Sequence, residues 1–171
     1  DLNPVDGLLT YLSVMGAIAQ NEGIRLLLSD STNADSPGHS RSETSVGAVL
    51  YNVMHAHEGR RLIVTCFASH IHRVQQVADA AQSFGRRVAT LGLSMKKNVA
   101  LARKLGVLRI PDSVLIDIED IESLPPGDVC VISTGSQGEP MSALARLAAG
   151  DNRWLEIQET DTVILSSHPI P

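Results

Sequence analysis

Short apolar segments alternate with longer amphipathic segments along this chain. The short segments are rich in Val, Ile and Leu, as buried parallel strands are, and predict strands over 25–29, 62–66, 88–91, 114–118, 129–133 and 162–165. The longer segments repeat apolar residues at helical spacing and predict helices over 8–19, 43–57, 71–84, 96–105 and 141–149. This alternation predicts a doubly wound α/β fold with a mostly parallel sheet and helices on both faces.

The segment 71–84 has the clearest helical pattern. One face of this helix is predicted to be apolar and consists of Ile71, Val74, Ala78 and Ala81. Arg73 and Gln76 lie largely off that face. Ser69, just before the helix, is predicted to cap its N-terminus.

The beginning of the chain is predicted to belong to a different domain from the rest. A helix pattern and a strand pattern that ends at Asp30 are followed by a stretch rich in Ser, Gly and Pro over 36–40. We therefore expect the leading segment, 4–30, to belong to a different domain from the rest of the chain. Because the chain opens without Met and stops just after a predicted strand, we expect it to be a piece of a longer protein.

Composition and charge narrow the class of protein. The 171 residues are 43% hydrophobic and 19% charged, which is typical of a globular domain. The net charge of -5 argues against a protein that coats nucleic acid by bulk electrostatics. Cys66 and Cys130 end apolar runs and lack metal-spaced partners, so we expect buried free thiols in a reducing compartment. No apolar stretch is long enough to span a bilayer, and we expect a cytoplasmic protein.

Three polar loops that follow predicted strands carry the candidate chemistry. They begin at Asp30, Phe67 and Thr134. Because the carboxyl ends of parallel strands share one edge of a sheet, we expect these loops to meet at a single crevice. Asp30 stands where a carboxylate can orient a histidine or bind a metal, but an ordinary Asx turn is an equally good explanation.

The second loop opens the helix over 71–84. Free backbone N–H groups and the Ser69 hydroxyl provide a place for a phosphate there, and Phe67 can offer its ring to a nucleobase. The alternative is that Phe67 packs in the core and that His70 is an ordinary residue of the first turn. His70 and His72 lack the spacing of metal ligands on a helix.

The third loop is punctuated by Gly135 and Gly138, which permit a ligand to approach the backbone closely, and Pro140 suits the first position of a helix. The loop lacks the Lys-Ser/Thr of a P-loop and the three-glycine spacing of a dinucleotide fingerprint. Gly-x-Ser-x-Gly is absent as well, so a nucleophile elbow is not indicated.

Four segments taken together resemble the ribonuclease J family. They are 28–35 (LSDSTNAD), 67–77 (FASHIHRVQQV), 134–144 (TGSQGEPMSAL) and 166–171 (SSHPIP), in the family's order. The family consists of bacterial RNA-processing enzymes with a metallo-β-lactamase fold and an inserted β-CASP domain. The resemblance implies that 1–35 ends the metallo-β-lactamase part and that 36–171 is the β-CASP domain. His70 departs from the family, where Asn is more usual.

The resemblance also implies an activity, which is hydrolysis of RNA phosphodiester bonds in RNA processing and decay, as a 5′-3′ exonuclease, an endonuclease or both. Family members use two divalent metal ions, commonly zinc, held by a His-x-His-x-Asp-His motif and further ligands. That motif is absent here, so we expect the chain alone to bind no metal and to be inactive. Expected partners are RNA, the enzyme's own metallo-β-lactamase domain and further copies of the enzyme, and no membrane is expected.

Individual roles follow from the same resemblance. Asp30 matches a carboxylate that positions a catalytic-site histidine without binding metal itself. The residues that match RNA-binding positions are Phe67, Ser69, His70, Ser136, Gln137 and Glu139. A competing hypothesis is an autonomous domain that binds a nucleotide or a sugar phosphate, with Ser69 and the turn 135–138 as the phosphate cradle.

Overall fold

The structure, a computed structural model, describes residues 10–28, 31, 34–39 and 41–167. Backbone contacts group the chain into two compact units, Asp1–Ser45 and Val46–Pro171. In the first unit, helix α1 (Leu12–Glu22) buries none of its residues. No described helix is long and apolar enough to cross a membrane.

The strand predicted over 25–29 is wrong over its described part, because residues 25–28 have no strand conformation. The side chains of Leu26, Leu27 and Leu28 are exposed. A strand needs a neighbour to take its backbone hydrogen bonds, and no described segment pairs with this one. Ser29 and Asp30 lie outside the described residues.

The other predicted elements are present. The strands are β1 (Leu62–Thr65), β2 (Arg87–Leu91), β3 (Leu115–Ile116), β4 (Val129–Ser133) and β5 (Thr162–Leu165). The helices are α2 (Thr44–Ala56), α3 (Ile71–Ser83), α4 (Leu93–Lys104) and α5 (Ala143–Ala148), with 3-10 helices at Ile118–Ser123 and Pro126–Asp128.

All five strands are parallel and lie in the order β3-β2-β4-β1-β5. Successive side chains of a strand point to opposite faces of the sheet. Leu62 and Val64 of β1 therefore join a core with α2, α3 and α4, whereas Ile63 joins a second core with the longer 3-10 helix and α5. Packed elements on both faces confirm the predicted doubly wound α/β fold.

The order of the strands creates a switch point at β4. The chain runs from β1 through α3 to β2 and through α4 to β3, which places these helices on the first face. It then returns to β4 and leaves through α5 to β5 on the second face. Because β4 connects to one face while its neighbours β1 and β2 connect to the other, a crevice is expected at the carboxyl ends of these three strands.

Helix α3 buries more than its predicted apolar face. Val74 is buried as expected, but Arg73 and Gln76 are also buried, with 9% and 8% of their surface exposed. Arg73 Nη1 donates to the carbonyl and the hydroxyl of Ser166, both at 2.6 Å, which ties α3 to the residue after β5. Gln76 packs over Gly47 of α2, where the missing side chain leaves room.

Two predictions about helix N-termini are wrong. The N-cap of α3 is His70, without a side-chain capping bond, because the His70 N–H donates to the Phe67 carbonyl at 3.0 Å and closes a turn before the helix. Helix α5 begins after Ser142, whose Oγ accepts from the Ala145 N–H at 3.2 Å. Pro140 is therefore not the first helical residue.

The amino edge of the sheet contains a buried cation beside a buried thiol. Arg86 is 2% exposed and donates to the carbonyls of His57, Arg60 and Val129 at 3.0, 2.7 and 3.3 Å. Burial lowers the pKa of Arg86 and raises the pKa of the Cys130 thiol to about 12. Cys66 and Cys130 are buried and form no disulfide, which confirms that part of the prediction, whereas the reducing compartment stays a prediction.

Candidate functional site

A cleft of about 1110 Å³ opens at the carboxyl edge of the sheet. Its walls include the segments 66–68, 90–94, 139–143 and 151–154. The first three of these segments follow β1, β2 and β4, so the cleft lies at the switch point described above. The loops after β1 and β4 therefore meet in one crevice, as predicted. Asp30 lies outside the described residues, and its place at this edge stays a prediction.

Phe67 forms part of one wall of the cleft. Its side chain is 38% exposed and belongs to neither core, so the alternative that it is a core residue is wrong. The loop that carries it is fixed from below, because Asn98 Nδ2 of α4 donates to the Ala68 carbonyl at 2.9 Å. The ring is thus held at the surface by a hydrogen bond to its loop and not by burial of the ring itself.

Ser69 and His70 follow Phe67 but are not among the residues that line the cleft. Ser69 is exposed and His70 is half-buried. Their position at the start of α3 leaves the first backbone N–H groups of this helix close to the same edge of the sheet. Their predicted contacts with RNA stay predictions.

The loop after β4 places Glu139 in the cleft and Ser136 beneath it. Glu139 is exposed, and its Oε2 accepts from the Gln137 N–H at 3.1 Å. Ser136 is 5% exposed, and its carbonyl accepts from Ser167 Oγ at 3.3 Å. The Ser136 hydroxyl is buried without a hydrogen-bond partner in the part of the chain that the structure describes.

Gly135 is required by the loop itself rather than by a ligand. Its φ is +108°, and a Cβ there would lie 2.5 Å from Ser142 Oγ and 2.8 Å from Leu144 Cβ. Gly138 also has a positive φ, but a Cβ there would meet nothing within 4 Å. Ser69 and the turn 135–138 do not line this cleft, and the phosphate cradle that they would form stays a prediction.

The segment 151–154 is a wall that sequence reasoning missed. Trp154 is the only tryptophan of the chain and packs partly against the second core. The Arg153 guanidinium lies over its ring, 4.0 Å from the centroid. The signal in the sequence is an adjacent Arg-Trp pair in a polar segment, but this segment follows a helix rather than a strand, where the topology predicts no site.

The cleft is mixed in charge. Lys96 Nζ lies 3.8 Å from an oxygen of Asp117, and Arg146 Nε lies 3.3 Å from an oxygen of Asp151. Glu119 and Glu139 add negative charge to its walls. Among the described residues, no three His, Cys, Asp or Glu side chains gather in a way that would hold a metal ion. The described side chains therefore do not fit the metal pair that the resemblance implies.

A parallel, doubly wound sheet with an open cleft at its switch point defines a class of α/β domain that binds ligands at the carboxyl ends of its strands. Within this class the chain can be placed in a family. The sequence model of the ribonuclease J β-CASP domain matches residues 59–171, which is more than half of the chain. The chain belongs to the ribonuclease J β-CASP family.

Similar full-length proteins come from several bacteria. The chain is 46% identical to "Ribonuclease J" of Mycolicibacterium smegmatis over all of its 171 residues, which cover 30% of that protein. It is 45% identical to "Ribonuclease J" of Thermus thermophilus, with 100% of the chain and 29% of that protein covered. It is 41% identical to "Ribonuclease J2" of Bacillus subtilis, with 92% and 28% covered. The chain thus spans less than a third of the length of these relatives.

Proposed function

We propose that this chain is the RNA-holding part of a ribonuclease J-type enzyme, which hydrolyses RNA phosphodiester bonds in RNA processing and decay. One observation carries the proposal: Phe67 and Glu139 follow strands that are far apart in sequence, yet they line the same cleft. The cleft volume of about 1110 Å³ is at the upper end of the roughly 300–1,000 Å³ that is typical of ligand pockets, so the cleft has room for a nucleotide segment of an RNA strand.

In this proposal the residues of the chain bind and position RNA. Phe67 stacks on a base. Ser136, which is buried, Gln137 and Glu139 belong to the loop that closes over the bound RNA. Backbone N–H groups at Ser69 and His70 receive a phosphate at the start of α3. The support is the placement of both loops at one edge of the sheet.

The remaining parts of the enzyme are proposed from the family. Residues 1–35 would end a metallo-β-lactamase domain, residues 36–171 would form the β-CASP domain, and Asp30 would orient a catalytic-site histidine. Two divalent metal ions, with zinc the first choice, would be bound by residues other than those described. A cytoplasmic, homo-oligomeric enzyme is the expected context, and the two free thiols suit a reducing compartment.

The binding role is tested with fluorescence anisotropy of a labelled, 5′-monophosphorylated single-stranded RNA. Phe67→Leu keeps an apolar side chain but removes the stacking face, so the Kd should rise roughly 5- to 150-fold, the equivalent of about 1–3 kcal/mol for one stacked base. Tyr51→Leu is the matched control, because Tyr51 is an exposed aromatic residue of α2 outside the cleft. Equal effects of the two substitutions would contradict the proposal.

Mononucleotides separate the proposal from the autonomous nucleotide-binding domain. A domain that binds a nucleotide by itself should melt at a higher temperature when the mononucleotide is added. An RNA-holding wall should respond to oligonucleotides and only weakly to mononucleotides. A larger rise in Tm with AMP or UMP than with the RNA would favour the alternative.

Catalysis is tested separately. The 171-residue chain, incubated with labelled RNA and zinc or manganese, should leave the RNA intact, since its described side chains do not gather metal ligands. Turnover that persists through repeated purification and matches the protein peak on a sizing column would show that the chain carries a nuclease centre of its own.

A further inference from the structure

We infer that Arg153 is a phosphate-binding residue of the cleft, held for this task by Trp154, and that it contacts one phosphodiester group of the RNA. The inference rests on the proposed function and adds a residue to that binding site. It assigns a role to the segment 151–154, which lies after α5 and outside the loops that the sequence pattern singled out.

The segment 151–154 is held rigidly by hydrogen bonds and by core packing. Asn152 Oδ1 accepts from the Trp154 N–H at 2.9 Å and from the Leu155 N–H at 3.3 Å, which fixes a tight turn. Leu155 is 3% exposed and belongs to the second core, and the Trp154 ring packs against the same core. Arg153 is therefore carried on a turn anchored at its apolar side.

The N–H donors of the Arg153 guanidinium are available to bind an anion. Trp154 covers the Arg153 guanidinium from one side, with the guanidinium carbon 4.0 Å from the ring centroid, and a guanidinium carries five N–H donors in its plane. No hydrogen bond or ion pair is found for this side chain within the described ranges, and the residue is exposed. A planar cation with free in-plane donors is suited to the two oxygens of a phosphate.

The other cations of the cleft are less available. Arg146 Nε donates to the carbonyl and the carboxylate of Asp151 at 3.2 and 3.3 Å. Lys96 has Asp117 nearby at 3.8 Å. Arg153 is thus the cleft cation whose charge is not offset by a neighbouring carboxylate in the described structure, and an anion in the cleft would be attracted to it first.

The charge of the walls favours a phosphodiester over a nucleoside polyphosphate. Glu119 and Glu139 line the same cleft and would repel a ligand that carries several negative charges close together. A phosphodiester carries a single charge, and the next one along an RNA strand is several ångströms away. The cleft therefore suits one backbone phosphate at Arg153 with a neighbouring base free to reach an apolar wall.

The test measures the Kd of the 171-residue chain for the same labelled RNA between 25 and 200 mM salt. Arg153→Gln should weaken binding roughly 5- to 20-fold and reduce the slope of log Kd against log salt by about 0.7, the value for one phosphate contact on a single strand. Arg153→Lys keeps the charge but loses the planar fork, so it should retain the slope and weaken binding less.

Arg87→Gln is the matched control, since Arg87 is an exposed arginine at the amino end of β2, on the opposite edge of the sheet. If RNA binds and Phe67→Leu weakens it while Arg153→Gln behaves like Arg87→Gln, the inference is overturned and the proposed function survives. If the unaltered chain does not bind RNA at 25 mM salt, the proposed function fails, and the role of Arg153 fails with it.

Discussion

Substitution of two glycines in the loop after β4 tests the geometry of the cleft directly. Gly135 and Gly138 both have positive φ, at +108° and +71°, where L-amino acids are strained. They differ in their surroundings. A Cβ at Gly135 would overlap Ser142 and Leu144, whereas a Cβ at Gly138 would have open space around it.

The expected loss of stability is the sum of the backbone strain and the steric overlap at each position. An alanine in a left-handed conformation costs about 1–2 kcal/mol, and this cost applies to both positions. At Gly135 the new methyl group would lie 2.5 Å from Ser142 Oγ and 2.8 Å from Leu144 Cβ, and overpacking of this kind adds about 1–3 kcal/mol. We therefore expect Gly138→Ala to lower the free energy of unfolding by about 1–2 kcal/mol and Gly135→Ala by about 2–5 kcal/mol.

Urea denaturation followed by circular dichroism gives both values. The midpoint should fall for each variant without a change in the m-value, because the surface exposed on unfolding is the same. Gly135→Ala should also weaken RNA binding more than Gly138→Ala, because it displaces Ser142, the N-cap of α5, and with it the segment 139–143 of the cleft wall. If the two variants lose the same free energy of unfolding, Gly135 is not packed against Ser142. The loop conformation that brings Glu139 into the cleft would then also be incorrect.

Three further predictions concern the framework around the cleft. Arg86→Met should lower the free energy of unfolding by about 3–5 kcal/mol, because three carbonyls lose a charged donor at a buried site; a loss below 1 kcal/mol in urea denaturation would show that the guanidinium is dispensable. Burial raises the pKa of the Cys130 thiol from its ordinary value of 9.0 to about 12, so the stability that the thiol contributes is complete below pH 9 and is lost as the pH rises toward 12. Cys130→Ala should therefore lose stability less steeply than the parent between pH 9 and 11, by up to about 1.4 kcal/mol per pH unit, and parallel curves would refute the burial of this thiol. Asn98→Ala removes the donor to the Ala68 carbonyl and should cost about 1 kcal/mol while raising the Kd for RNA roughly 2- to 5-fold; an unchanged Kd would mean that this bond does not position Phe67.

The strands of the sheet could be predicted because each pairs with a neighbour within the same domain, and the central strands are buried as well. Runs such as Val129–Ser133 are continuous, β-branched and apolar, and all five residues of that strand are buried. The segment 25–28 carries a similar apolar run but remains exposed and outside the sheet. Apolar composition shows that a segment can be a strand, whereas only pairing makes it one.

Helical periodicity failed for polar side chains that have a partner far along the chain. The pattern of α3 separates apolar from polar residues correctly, yet Arg73 is buried because its partner is Ser166, which follows a different strand. Arg86 is buried for a comparable reason, since the carbonyls that it contacts belong to the turn after α2 and to β4. Such contacts depend on the tertiary fold and leave no local trace in the sequence.

The site was predictable to the extent that topology determines it. Parallel strands bring their carboxyl ends to one edge, and this placed Phe67 and Glu139 in one cleft without any knowledge of side-chain contacts. Topology does not say which residues of a loop point into the crevice, so Ser69 and Ser136 were grouped with them although neither lines it.

Under the proposed function, the net charge indicates that RNA is held by local contacts rather than by overall attraction, but it does not show where these contacts lie. A chain with a net charge of -5 cannot attract RNA through its overall electrostatic field. In addition, some of the arginines that the sequence offers as RNA contacts form ion pairs with carboxylates in the fold. Arg61 is bound to Asp161 at 2.5 Å, and Arg103 is paired with Asp112. Binding of a polyanion then depends on cations that the fold leaves without a carboxylate beside a surface where bases can stack. Arg153 over Trp154 meets both conditions, and only the folded chain shows which arginine does so.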